Sequence, residues 1–160
     1  MIKWFVTVDN DVKNLINQSN VSIFINNTLL DKRGWKNYIF KKIYVKDGLK
    51  LKNKKKDKIF HIKFSSNNTI KNICNLSGLS CADLNKNTIY INVYRWLNGS
   101  QKSGLSLINY RKYIIYHEIG HLLGREHSVC PCDGCPRPIM VQATIANDKC
   151  IANYYPLDGE

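Results

Sequence analysis

Between Tyr116 and His127 the chain reads Y-H-E-I-G-H-L-L-G-R-E-H, and no other stretch restricts the fold as much. His117 and His121 stand four residues apart. On a helix that spacing puts both imidazoles on one face, one turn apart, where they can converge on a divalent metal. Gly124 follows three residues after His121, and His127 three after that. Glycine tolerates a left-handed backbone, so Gly124 can stop the helix and swing the chain round. His127 then approaches the same point from another direction. Three neutral histidines leave one position open, the pattern of a catalytic zinc site rather than a closed structural one.

Glu118 lies beside the first of these ligands, where its carboxylate reaches a zinc-bound water rather than the zinc. Zinc lowers the pKa of bound water to about 7 and polarises a carbonyl oxygen. Glu118 would take the proton of that water and hand it to a leaving amine. The predicted reaction is hydrolysis of a peptide bond. H-E-x-x-H by itself also occurs in helices that bind nothing. Here three of the four histidines of the chain fall in one motif, and only Glu118 and Glu126 precede Glu160 among the glutamates.

His117, Glu118, His121, Gly124 and His127 match the metzincin signature H-E-x-x-H-x-x-G-x-x-H. Downstream, Pro138-Ile139-Met140-Val141-Gln142 stands at a suitable distance for the methionine turn that metzincins place beneath the metal. The chain thus resembles a metzincin zinc metallopeptidase, and the resemblance implies that Met140 is the Met-turn residue. Without the zinc motif, Met140 would read as an ordinary core methionine. A closer resemblance rests on Asp31 to Trp35, Ile91 to Trp96, Tyr110-Arg111, Pro138 to Thr144 and Cys150. These segments are similar to an uncharacterised zincin-like family known mainly from actinobacteria, over nearly the whole chain. That family's peptidase assignment rests on its motif, so the resemblance speaks more to fold and metal than to substrate. Several metzincin families carry a tyrosine two residues after the turn methionine; here that position is Gln142. A side-chain amide can donate to an oxyanion, so Gln142, Tyr154 and Tyr155 are the candidates for oxyanion or substrate contact.

The chain has 160 residues, enough for one domain spanning 1–160 with a proper core. No apolar run approaches the ~20 residues of a membrane span. Met1 to Val6 is too short for a signal segment and reads as a strand. The expectation is a protein that stays where it is made or has lost a targeting segment. The net charge is +12, much of it between Lys41 and Lys63. That run contains Lys54-Lys55-Lys56 without interleaved aromatics, so it reads as a solvated loop rather than a base-stacking surface. The expected partner is a polypeptide substrate, with no nucleic acid and no membrane span, and the expected state is a monomer. The N-x-S/T triplets at Asn17, Asn20, Asn26, Asn67, Asn75 and Asn98 follow from an asparagine-rich composition and are not read as glycosylation sites.

Lys3 to Val8 is a predicted strand. Val21, Phe24, Ile25 and Leu29 have helical spacing, which predicts a helix over Val21 to Leu30 with Asn20 as its cap. Asp31 to Gly34 breaks it, and Trp35 anchors the chain in the core. Tyr38 to Val45 and Lys58 to Ser65 are predicted strands, joined as a hairpin through the lysine-rich loop. His61, in the second strand, is read as structural. Asn67 to Asn75 is a short helix. Thr88 to Tyr94 is a β-branched and aromatic strand expected to border the cleft and pair with an extended substrate. Ser106 to Leu123 is the long active-site helix, offering Leu107, Tyr110, Ile114, Ile115 and Leu122 to the core. Beyond Gly124 the chain reads as loops.

Six cysteines allow fifteen pairings. Cys74 and Cys81 flank a short glycine-containing loop and are expected to pair. The actinobacterial resemblance implies Cys130 with Cys150, which leaves Cys132 and Cys135 as a C-x-x-C pair, disulfide-bonded or free. A structural zinc site of Cys130, Cys132, Cys135 and Cys150 is the alternative. The even count points to an oxidising, extracellular-type compartment, against the missing signal segment. The expected whole is an α+β, zincin-like (metzincin) single domain: a twisted sheet, an active-site helix and irregular C-terminal loops. The expected function is a zinc endopeptidase. The alternative is a metal-containing binding module, weak or inactive as a catalyst, that acts through its basic surface.

Overall fold

The structure is a computed structural model that describes residues 1–45 and 58–160. Its centre is a five-stranded sheet of β1 (Ile2–Val8), β2 (Phe40–Lys42), β3 (Lys58–Ser65), β4 (Cys81–Asp83) and β5 (Thr88–Asn92), in the order β2-β1-β3-β5-β4. The first four strands in that order run parallel, and β4 runs antiparallel to β5. Alternation along β1 and β3 sends Trp4, Val6, Phe60, Ile62 and Phe64 to one face. The register sets Trp4 beside Phe60, Val6 beside Ile62 and Ile62 beside Ile89. Apolar rows from three strands therefore coincide, as a sheet face packed under helices requires.

Two helices cover that face. α1 (Gln18–Leu29) contributes Val21, Ile25 and Leu29 to the core. α4 (Leu107–Leu122) is buried almost all round, from Tyr110 to Leu122. On the opposite face α2 (Asn67–Cys74) encloses a small separate cluster of Ile70, Cys81 and Tyr90. A short α3 (Val93–Asn98) leads off β5 and packs Trp96 edge-on against Phe24 and Phe64.

Several expectations need correction. Tyr38–Val45 and Lys58–Ser65 do not form a hairpin: β2 and β3 each pair in parallel with β1, which lies between them. Parallel neighbours need a crossover, and α1 supplies the one from β1 to β2. The lysine-rich loop, residues 46–57, lies outside the described residues. The cap of α1 is Asn17, whose Oδ1 accepts from the Asn20 amide at 3.0 Å, so the helix starts earlier than Val21. β5 stops at Asn92, which caps α3, and its β-branched residue Val93 is already helical. β5 is also an interior strand. The sheet edge on that side is β4, which escaped notice because it is only three residues long and closes on a polar turn. Leu107, expected in the core, is 37 % exposed at the start of α4.

His61 stacks on Phe5 on the outer face of the sheet, and its Nε2 lies 2.6 Å from Thr7 Oγ1. Trp35 is buried, and its Nε1 donates to the Tyr116 carbonyl of α4 at 3.1 Å. After Gly124, at φ +89°, regular structure among the described residues shrinks to a 3-10 turn at Ala143–Ile145. Disulfides Cys74–Cys81, Cys130–Cys150 and Cys132–Cys135 are present, and such bonds fit an oxidising compartment. With these cysteines paired, no four-thiolate zinc site is formed. No described helix is long and apolar enough to cross a membrane.

Candidate metal centre

Ser106 caps α4 through an Oγ that accepts from the Asn109 amide, and the helix runs four turns to Leu122. Its last turns carry Tyr113, His117, Glu118 and His121 toward the cleft. Gly120 sits on the face beneath. A Cβ there would collide with the Met140 sulfur and come within 2.9 Å of Trp35. The absence of a side chain is what lets Met140 and Trp35 press against the helix backbone under the histidines. Gly124 then turns the chain in the left-handed region, and His127 returns toward the helix.

One ring nitrogen from each of His117, His121 and His127 lies within 4.8 Å of the others. The Nε2 atoms of His121 and His127 are 3.1 Å apart. Backbone carbonyls orient two of the rings. His117 Nδ1 donates to Ile139 O at 2.8 Å, and His121 Nδ1 donates to Arg125 O at 2.9 Å. Each bond fixes the tautomer that leaves Nε2 bare, as metal-ligating histidines need. Burial lowers the His117 imidazole to about 3, with His121 and His127 adding repulsion. Burial also lowers His121 and His127. All three are thereby held neutral, the form that can donate a lone pair. The donor set suits a metal ion of the imidazole-preferring class.

Glu118 is buried, its Oε2 has no hydrogen-bond partner, and burial pushes its carboxyl up to about 8. An orphaned buried carboxylate oxygen is costly unless something else satisfies it. A cation held by the adjacent imidazoles would, and would favour the ionised form.

The histidines and Glu118 open into a cavity of about 270 Å³. One wall is α4, through Tyr113 and Ile114; the other is the edge strand, through Cys81 and Ala82, with Ser80 just before it. Leu76, Leu79 and Leu84 make it apolar, while Gln142 and Thr144 close it from the C-terminal loops. Gln142, expected as an oxyanion or substrate contact, lines this cavity. Tyr154 and Tyr155 do not. Tyr155 packs against Tyr116 and under Arg33, and its hydroxyl donates to Asp31 at 3.1 Å. Both rings lie beside Lys112, and neither lines the cavity. They follow the Pro136–Ile151 bridge, in a tail that meets Lys112 and Tyr116 of α4 and Asp31 and Arg33 beyond α1.

Tyr113 was missed. Its hydroxyl donates to Val141 O at 3.0 Å, accepts from the Ala143 amide at 2.9 Å, and lies 3.4 Å from His117 Nδ1. It stands four residues before His117, on the same face, which is the signal that could have found it. Arg137 was also missed. Buried in the C-terminal loops, it pairs with Asp148 at 3.0 Å and donates to Ser103 O at 2.6 Å.

Fold and site together define a mixed α+β protein built around a histidine triad able to hold a metal ion, set in an apolar cleft at the sheet edge. Residues 1–159 match a family described as a protein of unknown function, DUF3152, and the chain belongs to that family. No curated protein and no solved structure matches it.

Proposed function

We propose that the chain is a zinc-dependent endopeptidase of metzincin type. The observation that carries this reading is the buried, unpartnered Oε2 of Glu118, a residue that lines the same cavity as three converging neutral imidazoles. A structural metal site has no use for such an oxygen; a hydrolytic one needs a base there. His117, His121 and His127 would hold the zinc. When bound, zinc supplies the Lewis acidity that activates water and polarises a carbonyl oxygen. Glu118 accepts the proton of the attacking water and returns it to the leaving nitrogen. Met140 packs beneath the centre against Gly120.

The outer edge of β4 has no partner strand among the described residues. An extended peptide can add to it by main-chain hydrogen bonds. Leu76, Leu79 and Leu84 then favour an apolar side chain next to the scissile bond. Gln142 is the remaining side-chain candidate for the oxyanion, since Tyr154 and Tyr155 line no part of the cavity. That same fact favours the second reading, a metal-holding binding module with little turnover.

The two readings separate in one experiment: a broad peptide pool is incubated with zinc-loaded protein and read by mass spectrometry beside Glu118→Ala. The peptidase reading expects cleavage beside apolar residues by the wild type and none by the variant, with zinc content equal in both. A zinc-loaded wild type that cuts nothing, or a Glu118→Ala variant that still cuts, would sink it.

A further inference from the structure

All three histidines are tied, through two backbone segments and the Arg125 side chain, to a residue that lies in sequence far beyond the motif. Glu160 Oε2 accepts from the Ile139 amide at 3.0 Å, and Oε1 accepts from the Met140 amide at 3.2 Å. Ile139 is the residue whose carbonyl orients His117. Met140 O accepts from the Ser128 amide at 3.1 Å, next to His127. The main-chain oxygen of Glu160 accepts from Arg125 Nη2 at 3.0 Å, and Arg125 is the residue whose carbonyl orients His121. The Leu157 amide donates to Oε2 at 2.6 Å, which holds the carboxylate in place.

We propose that Glu160 is a positioning residue of the metal centre, a brace that fixes both carbonyls orienting His117 and His121 and the loop that presents His127. The inference rests on the reading of the triad as a metal site. Its physical basis is that the peptides involved belong to no regular element. A helix or strand ladder would satisfy the Ile139 and Met140 amides from within. Here the turn has no such ladder, and a carboxylate accepting two adjacent N–H groups takes over that task with charge-assisted bonds. Rotating the Ile139 peptide would rotate the acceptor of His117 Nδ1, and with it the ligating nitrogen. Removing partners behind metal ligands typically weakens binding about 10- to 100-fold.

The test measures zinc affinity of the full chain by competition with a chromophoric chelator, and the visible absorption of the cobalt-substituted protein. Both are recorded well below the melting temperature. We expect about 10-fold weaker zinc binding and an altered cobalt spectrum for Glu160→Ala, at the lower end of that range because Glu160 acts one peptide further from the ligands. A smaller loss is expected for Glu160→Gln, which keeps one acceptor oxygen. Arg125→Met, which keeps the carbonyl that His121 uses, should fall between Glu160→Gln and the wild type. Asp158→Asn loosens the same tail at its exposed pair with Lys36 and is expected to leave metal binding unchanged. If the Glu160 and Arg125 variants lower only the melting temperature of the metal-free protein, with affinity and cobalt spectrum unchanged, Glu160 is a stability residue and the brace is wrong. If Glu160→Ala does not fold, unchanged binding by Glu160→Gln and Arg125→Met overturns the brace equally. A wild type that binds no metal removes the metal centre, and the brace with it. A wild type that binds zinc but cleaves nothing would sink the peptidase reading and leave the brace standing.

Discussion

The sheet half and the loop half of this molecule are rigid for different reasons. Among the described residues from Ile2 to Asn92 the order comes from apolar burial: Trp4, Phe60, Ile62, Phe64, Ile89 and Ile91 are fully enclosed, and β1 and β3 alternate in step. From Gly124 onward the described chain has one short 3-10 turn. Its order comes from individual ties: the Cys130–Cys150 and Cys132–Cys135 bonds, the buried Arg137–Asp148 pair, the Asn153 bond to Arg137 O, and the Glu160 carboxylate. The site sits where the two halves meet, with two histidines from the last turns of α4 and one from the loop. An extended core aims a helix well, but it cannot bring a third ligand round the end of that helix. A loop can, provided polar and covalent ties remove its freedom.

Breaking the sheet should cost most and should take both halves down together. Trp4→Ala removes the largest enclosed side chain of β1, and we expect about 3–5 kcal/mol of lost stability. Urea unfolding followed by far-ultraviolet circular dichroism and by cobalt absorbance should give one coincident transition at lower denaturant. Two separate midpoints would mean that α4 does not depend on the sheet.

Breaking a tie in the loop half should act more locally. The double variant Cys130→Ser with Cys150→Ser opens a covalent loop with a sequence separation of 20. Chain entropy predicts a loss of about 3 kcal/mol. If the halves are ordered independently, the loss falls on the loops: metal affinity drops while the dichroism of the sheet and helices persists at 25 °C. Equal loss of both signals would contradict the division drawn here.

The smallest expected effect sharpens the comparison by pH. Burial lowers His61 to about 4, with Lys63 acting in the same direction and Asp9 against it. The imidazole is thus neutral in the folded sheet at pH values where the unfolded chain would protonate it. The unfolded state binds more protons, so stability rises with pH through this window. This contribution is present above about 6.5, the ordinary histidine value, and fades as the pH falls toward 4. His61→Gln should flatten the stability profile between those values, measured by urea melts. An unchanged slope would show that His61 does not report on the sheet.

Much of the site could be read from the sequence because its spacing is local. His117, Glu118 and His121 lie within two turns of one helix, and Gly124 with His127 needs only a reversal just beyond it. The strands β1 and β3 were legible for the same reason, since a period of two shows in a short window. Strand pairing was not. β2 and β3 follow one another in sequence yet are separated by β1, with which each pairs in parallel. β4 is too short to show a period, and its place depends on the Cys74–Cys81 bond and on β5.

The sequence by itself therefore determined the helix and the histidine triad, while Met140 and Gln142 were reached only through the metzincin resemblance. The information for the helix and the triad is carried by residues a few positions apart, where backbone geometry alone fixes what faces what. Only the tertiary structure decided that β4 rather than β5 walls the cleft, that Tyr154 and Tyr155 turn away from it, and that Tyr113, Arg125 and Glu160 stand behind the histidines. The ties of Glu160 join segments 20 to 35 residues apart through single hydrogen bonds. A contact of that kind leaves no periodicity in a sequence, because one donor and one acceptor are enough to make it.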